Sequence, residues 1–294
     1  MPALKKRSST DANPWSHRTA LSIAAACQDR GKARIVIATE RRVGATTATS
    51  EDADELCWLN DNVPVLIAGT VHRAVELRDT IADYLDQYYQ QNPEPWSVTE
   101  YQVTNLIKRP VAMFKRQLAG EHTSLKFGLG YEEFKSSVSR QQIDALVANQ
   151  TMQEISNIQL GCWLILTFFW EGKPKIYRID TFGRVELCEN FAAIGTGATV
   201  AESVLYQRKH GAGARLGPSV YHVFEAMKLG SVAPEGGLEH TLDVLYPPGA
   251  KKKDLTGERL TVAAKRFLES ELNKLGPKPF KTLKLPSNAL QPDF

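Results

Sequence analysis

The sequence predicts an α+β fold in which two antiparallel sheets pack face to face between outer layers of helices, a four-layer α/β/β/α sandwich. The order of elements is the first observation, because strands, helices, strands, helices and a further strand follow one another along the 294 residues. The second observation is the segment 162–170, which is apolar on both faces, as expected for a strand that is covered on two sides. Two stacked sheets with helices outside account for both observations.

The first half of the chain predicts paired strands followed by helices. Residues Asp29 to Lys32 form the first turn, in which Gly31 can adopt a positive φ. Apolar residues recur at helical spacing from Val71 onwards until a proline-containing segment ends the pattern. The predicted elements are strands at 21–27, 35–42, 55–62 and 63–69, then helices at 71–90, 96–117 and 131–158, with a loop at 120–130.

The second half predicts a second set of strands and a second pair of helices. A glycine-flanked turn, Gly195-Thr196-Gly197, joins a strand to a helix, and Pro218 begins the helix after it. The predicted elements are strands at 162–170, 175–180 and 184–188, a strand ending before Gly195, helices to residue 209 and at 218–229, a last strand at 239–246, and an amphipathic helix at 258–275.

These elements divide the chain into three parts. Residues 1–18 are predicted to be a flexible N-terminal extension, 19–248 the folded domain, and 249–294 an amphipathic helix with a basic tail. The extension is basic and polar without an apolar core, so it does not have the pattern of a secretory signal.

Composition excludes several classes of function. The net charge of +3 is too small to indicate a nucleic-acid partner, which makes nucleic acid an unlikely ligand. No apolar run approaches the roughly 20 residues that span a bilayer, so no membrane partner is expected. The four cysteines lie far apart in apolar segments and the six histidines have no metal-ligand spacing. We therefore expect a cytoplasmic protein with no metal and no cofactor.

Four local patterns occur in the order found in proteasome β-type subunits, which belong to the N-terminal nucleophile hydrolases. They are Ala38-Thr39-Glu40-Arg41-Arg42, Ile67-Ala68-Gly69-Thr70, the segment 175–180 with Gly183, and Ala193-Ile194-Gly195-Thr196-Gly197. The chain resembles that family over roughly residues 20–246, and is most similar to bacterial proteasome-type proteins of uncharacterised function. The resemblance implies the four-layer fold, a peptide substrate if the protein is active, and self-association into a dimer or ring.

The resemblance also implies a particular chemistry. In this family an N-terminal threonine attacks the substrate carbonyl and its own α-amine takes the proton, which suits a group whose ordinary pKa is about 7.7–8.0. A lysine and an acid support that amine. Glu40 occupies the acid's place, whereas Glu55 occupies the lysine's place. A carboxylate at that position raises the pKa of the amine and so favours its inactive, protonated form.

The nucleophile position depends on the register of the first strand. Counting back from Asp29 places it at Ala20, and a register that differs by one residue places it at Thr19. Ser22 is a displaced alternative that lacks a terminal amine. Thr196 matches the supporting hydroxyl in the glycine-flanked turn, and Glu235 is the nearest candidate for the second supporting acid.

Three functions follow as hypotheses. The preferred one is a catalytically impaired or non-catalytic relative that acts through assembly. The second is a threonine peptidase that uses Thr19 after removal of residues 1–18. The third is an interaction module with a basic tail, built on Lys251-Lys252-Lys253 and later lysines. A nucleotide site at Gly195-Thr196-Gly197 is disfavoured, because position 200 is Val rather than the third glycine.

Overall fold

The computed structural model describes most of the chain. The described residues are 21–41, 56–59, 63–91, 100–231, 239–247, 257–275 and 284–292. They contain a mixed α+β fold with eleven strands and seven helices.

The bounds of the strands and helices follow chain order. The strands are β1 (Ser22–Asp29), β2 (Lys32–Arg41), β3 (Leu56–Trp58), β4 (Pro64–Gly69), β5 (Cys162–Trp170), β6 (Lys173–Ile179), β7 (Val185–Leu187), β8 (Phe191–Ile194), β9 (Glu239–Leu245), β10 (Gly257–Leu260) and β11 (Leu290–Pro292). The helices are α1 (Val71–Gln91), α2 (Glu100–Phe127), α3 (Tyr131–Ser139), α4 (Ala145–Ser156), α5 (Ala198–Gln207), α6 (Leu216–Gly230) and α7 (Val262–Leu275).

Two antiparallel sheets organise these elements, as the sequence predicts. The six-stranded sheet has the order β11-β10-β9-β2-β1-β8, and the five-stranded sheet has the order β3-β4-β5-β6-β7. In the first turn Arg30 has a φ of 50° and Gly31 a φ of 78°, which closes the β1–β2 hairpin on the predicted residues. β1 therefore lies between β2 and β8 and is an interior strand.

Three apolar clusters separate four layers. One lies between the six-stranded sheet and helices α5, α6 and α7, and includes Ile23, Val36, Tyr221, Val244 and Leu268. Another lies between the five-stranded sheet and helices α1 and α2, and includes Val65, Leu77, Phe114, Leu164 and Tyr177. The third fills the space between the sheets, and includes Ala24, Ile37, Leu66, Ile165 and Ile176. Strands β1, β2, β4, β5 and β6 are accordingly buried on both faces, which confirms the two-sheet interpretation of their sequences.

Several local predictions were wrong. The helix predicted at 258–275 begins only at Val262, because residues 257–260 form β10. The loop predicted at 120–130 is helical as far as Phe127, because α2 continues through Gly120. The end of α2 packs with α3 and α4 around Phe134 and Ile155 in a small separate apolar cluster. The contacts in this cluster stabilise the continued helix. The strand at 239–246 was predicted to be the last, but β10 and β11 extend the same sheet beyond it.

The segment after residue 249 is joined to the core where it is described. Leu260, Ala264, Leu268 and Ala289 are buried in the cluster on the outer face of the six-stranded sheet. Lys284 is exposed, whereas Lys251-Lys252-Lys253, Lys278 and Lys281 lie outside the described residues. Removing residues 249–294 would therefore remove two strands and part of the core as well as the lysines.

Other sequence predictions concern cysteines and membranes. The four cysteines are free thiols, and burial raises the pKa of the Cys27 and Cys162 thiols to about 12. Cys27 and Cys162 are therefore small buried residues, as predicted, whereas Cys57 and Cys188 are half-buried. Among the helices that the structure describes, not one has both the length and the apolar character needed to cross a bilayer.

Candidate functional site

The candidate site lies where β1 begins, beside the end of β2. Ser22 pairs with Thr39, so the next pair along the ladder joins Leu21 and Glu40. The Glu40 amide donates to the Leu21 carbonyl at 3.1 Å, and the Leu21 amide donates to the Glu40 Oε2 atom at 3.0 Å. The carboxylate of Glu40 thus holds the backbone at the start of the strand.

The end of α6 supplies the other contact of this carboxylate. Ser231 follows directly after α6, where its amide donates to the Met227 carbonyl at 2.9 Å, and its hydroxyl donates to Glu40 Oε1. Glu40 is only 7% exposed, so its charge depends on hydrogen bonds from the protein. These two donors give each carboxylate oxygen one partner and join β1, β2 and α6.

The lysines that act on His240, the residue opposite Glu40, pair with other groups. Lys228 of α6 pairs with Glu269 of α7 at 3.1 Å, and Lys265 Nζ donates to the His240 carbonyl at 2.6 Å. Within the described residues, no lysine or arginine forms an ion pair with Glu40. A proton-accepting amine at this position would need a nearby lysine to lower its pKa. The described residues around Glu40 do not supply that lysine.

His240 is the titratable group opposite Glu40 in the β2–β9 ladder. Burial is the largest cause that lowers the pKa of its imidazole, and the nearby Lys228 lowers that pKa further while Glu40 raises it. Its Nδ1 is buried without a hydrogen-bond partner among the described residues. His240 is therefore a neutral residue beside the carboxylate at neutral pH.

The glycine-flanked turn reaches the same end of the sheet. Gly197 has a φ of 96°, and a Cβ on it would lie 2.0 Å from the Gly230 carbonyl oxygen, so the turn is packed against the end of α6. Gly230 in turn contacts Leu21, since a Cβ there would lie 2.6 Å from Leu21 Cδ2. Thr196 is exposed in this turn. The turn that holds Thr196 is thus packed against the end of α6, and that end also contacts Leu21, the residue paired with Glu40.

Four of the predicted site residues cannot be placed. Thr19, Ala20, Glu55 and Glu235 lie outside the described residues. The roles proposed for Thr19 and Glu55 stay predictions.

Ser22 does not have the surroundings of a nucleophile. It shares a strand face with Ala24 and Ala26 and so points between the sheets, where it is fully buried and its hydroxyl has no hydrogen-bond partner among the described residues. Thr39 of β2, which pairs with Ser22, instead shares a hydrogen bond of 2.5 Å with the hydroxyl of Thr241 on β9. No described base contacts Ser22, so the site gives its hydroxyl no means of activation.

Sequence reasoning missed Ser231. Its contact with Glu40 joins residues 191 positions apart, and nothing in its local sequence distinguishes it from an ordinary residue after a helix. The site as described can bind and orient backbone and hydroxyl groups through one buried carboxylate. Within the described residues no group of three or more histidine, cysteine or acidic side chains could hold a metal ion.

Comparison with known proteins adds no assignment: no protein-family model matches the chain, and no curated protein matches it significantly.

Proposed function

We propose that this chain has the N-terminal nucleophile hydrolase fold, that it is related to proteasome β-type subunits, and that it is non-catalytic and acts through assembly. The two stacked antiparallel sheets with helices on both outer faces support the fold. The nearness of Glu40 and the Gly195-Thr196-Gly197 turn at one end of the sandwich supports the relationship.

The single observation that carries the loss of catalysis is the hydrogen bonding of Glu40. Both oxygens of its carboxylate are occupied, one by the Leu21 amide and the other by the Ser231 hydroxyl. The carboxylate therefore acts as a structural acceptor that fixes the start of β1. The residue before Leu21 is Ala20, whose methyl group cannot attack a carbonyl, and Glu55 stands in the sequence where the family has a lysine.

Measurement of the N-terminal mass of the purified protein tests the proposal. We expect a chain that begins at Met1 or Pro2 and does not hydrolyse fluorogenic peptides. A chain that begins at Thr19, with peptide hydrolysis that Thr19→Ala abolishes and the control Thr10→Ala does not, would establish the threonine peptidase instead.

Assembly is tested separately by native mass spectrometry and light scattering. We expect a dimer or ring at micromolar concentration, and a monomer across that range would remove the assembly part of the proposal while leaving the fold and the lack of catalysis untouched.

The basic-tail hypothesis is better tested by changing Lys251, Lys252 and Lys253 to Gln than by deleting residues 249–294, because the deletion would damage the core. Salt-sensitive nucleic-acid binding that those changes remove would support that hypothesis.

A further inference from the structure

Two buried histidines face each other on the outer side of the six-stranded sheet, away from Glu40. His210 lies in the segment 208–215 that joins α5 to α6, here called the α5–α6 corner, and His222 lies within α6. The two side chains are 6% and 5% exposed, and their ring centroids are 5.9 Å apart in an edge-to-face arrangement. Neither ring can gain a charge without bringing that charge into the core.

Only one of the four ring nitrogens has a hydrogen-bond partner among the described residues. His210 Nε2 lies 3.0 Å from the carbonyl oxygen of Ala26 in β1, and since a carbonyl only accepts, this nitrogen carries a hydrogen. His210 Nδ1 and both ring nitrogens of His222 are buried without a hydrogen-bond partner among the described residues. A proton added to His210 Nδ1, or to the one His222 nitrogen that carries no hydrogen, would meet no described acceptor.

The surrounding charges do not compensate an added proton. Arg208 at the end of α5 is ion-paired with Glu225 of α6, which is fully buried, so the nearest carboxylate already has a cationic partner. Two neutral rings also contact the pair, Phe191 of β8 against His210 and Tyr221 of α6 against His222. The charges that act on His222 are those of His210 and Arg208, and no carboxylate is among them. A protonated His222 would add a second cation beside Arg208.

The α5–α6 corner is fixed to β1 by a few contacts. Besides the bond from His210 to Ala26, the Gln28 amide donates to the Ala214 carbonyl at 2.8 Å, and Gln28 forms a parallel bridge with Arg215. Loss of the His210 contact would therefore leave the corner attached to β1 mainly through Gln28.

We propose that His210 and His222 form an acid-sensitive latch, which holds the α5–α6 corner on β1 while both imidazoles are neutral and releases it when they bind protons.

The direction of the pH dependence follows from burial. Burial lowers the pKa of His222 to about 4, helped by His210 and Arg208. Burial also lowers the pKa of His210, and this effect outweighs the opposing effect of its hydrogen bond to Ala26. In a released corner both rings meet water and return to a pKa of about 6.5. The closed form is therefore fully favoured above pH 6.5 and loses that advantage as the pH falls towards 4. For His222 alone, the equilibrium constant for opening should rise about twentyfold between pH 7 and pH 5.

Hydrogen exchange of the whole protein at pH 7 and pH 5, corrected for the intrinsic exchange rate at each pH, tests the latch. We expect the Gln28 amide and the amides of the α5–α6 corner to lose protection at least about twentyfold at pH 5, while amides of β5 and β6 keep theirs. An equal change in both regions, or no change in the corner, would overturn the proposal.

His222→Phe keeps an aromatic ring and removes the proton-binding group, so it should leave only the smaller pH dependence of His210. His72→Gln, a change at an exposed histidine of α1, is the matched control and should behave as the unmodified protein. If His222→Phe does not fold, an NMR titration of the imidazoles in the unmodified protein decides the question. His222 titrating below about pH 5 supports the latch, and titration near 6.5 excludes it.

Discussion

Gly197 and Gly230 approach so closely that neither position has room for a side chain. A Cβ on Gly197 would lie 2.0 Å from the Gly230 carbonyl oxygen, and a Cβ on Gly230 would lie 3.1 Å from the Gly197 carbonyl oxygen. The contact joins the turn before α5 to the end of α6. It gives the second glycine of the Gly195-Thr196-Gly197 pattern a packing reason that requires no bound phosphate.

The different surroundings of Gly197 and Gly120 predict opposite effects on stability when each is changed to alanine. Gly197→Ala should lower the free energy of unfolding by about 2–4 kcal/mol, because it adds a clash to a φ of 96°. Gly120→Ala should raise it by about 0.5–1 kcal/mol, because this helical glycine has nothing within 4 Å of the added Cβ. Urea unfolding of both variants measures the two signs, and a stabilised Gly197→Ala would contradict the described packing.

The hydrogen bonds of Glu40 predict a stability effect rather than a catalytic one. Glu40→Ala should lower the free energy of unfolding by about 1–3 kcal/mol, because the buried Leu21 amide and Ser231 hydroxyl both lose their acceptor. Ser231→Ala should cost less, and the double variant should cost less than the sum of the two changes. Chemical denaturation measures this coupling, with the exposed Glu189→Ala as control. Strictly additive losses would show that the two side chains do not interact.

The buried ion pair of Arg208 and Glu225 predicts a large loss when one partner is neutralised. Glu225 is fully buried and its Oε2 lies 2.7 Å from Arg208 Nε. Glu225→Gln should lower the free energy of unfolding by about 3–5 kcal/mol, because it removes the buried negative charge that is ion-paired with the Arg208 guanidinium. Glu132→Gln, at the exposed pair with Arg116, is the control and should leave the denaturation midpoint unchanged. Equal midpoints for the two variants would refute this distinction.

The carboxyl group of Glu154 in α4, which contacts α2, is expected to titrate at an unusually low pH. Hydrogen bonds from Lys126 and then from His122 lower the pKa of Glu154 to about 2. The pairing contributes stability above the ordinary pKa of 4.5 for a glutamate, and that contribution is lost as the pH falls towards 2. Carboxyl NMR should detect this titration, and Lys126→Met should move the pKa of Glu154 back towards 4.5. An unchanged titration in Lys126→Met would contradict the assigned cause.

The sequence by itself determined the strongly patterned elements. The continuous apolar run at 162–170 coincides with β5, the helical spacing from Val71 gives α1, and Gly31 marks the β1–β2 turn. These elements are predictable because their signals are local: the burial of both strand faces, one apolar helix face, and a glycine with a positive φ.

Tertiary structure alone decided the rest. Gly120 lies inside α2 because Phe127, beyond it, packs with Phe134, which outweighs the helix-weakening effect of one glycine. Residues 257–260 form β10 rather than the start of a helix because β9 offers them a strand to pair with. Ser231 reaches Glu40 across 191 positions of sequence. Contacts between segments far apart in the chain leave no periodic trace in either segment, so only the folded structure could reveal how Glu40 is bound.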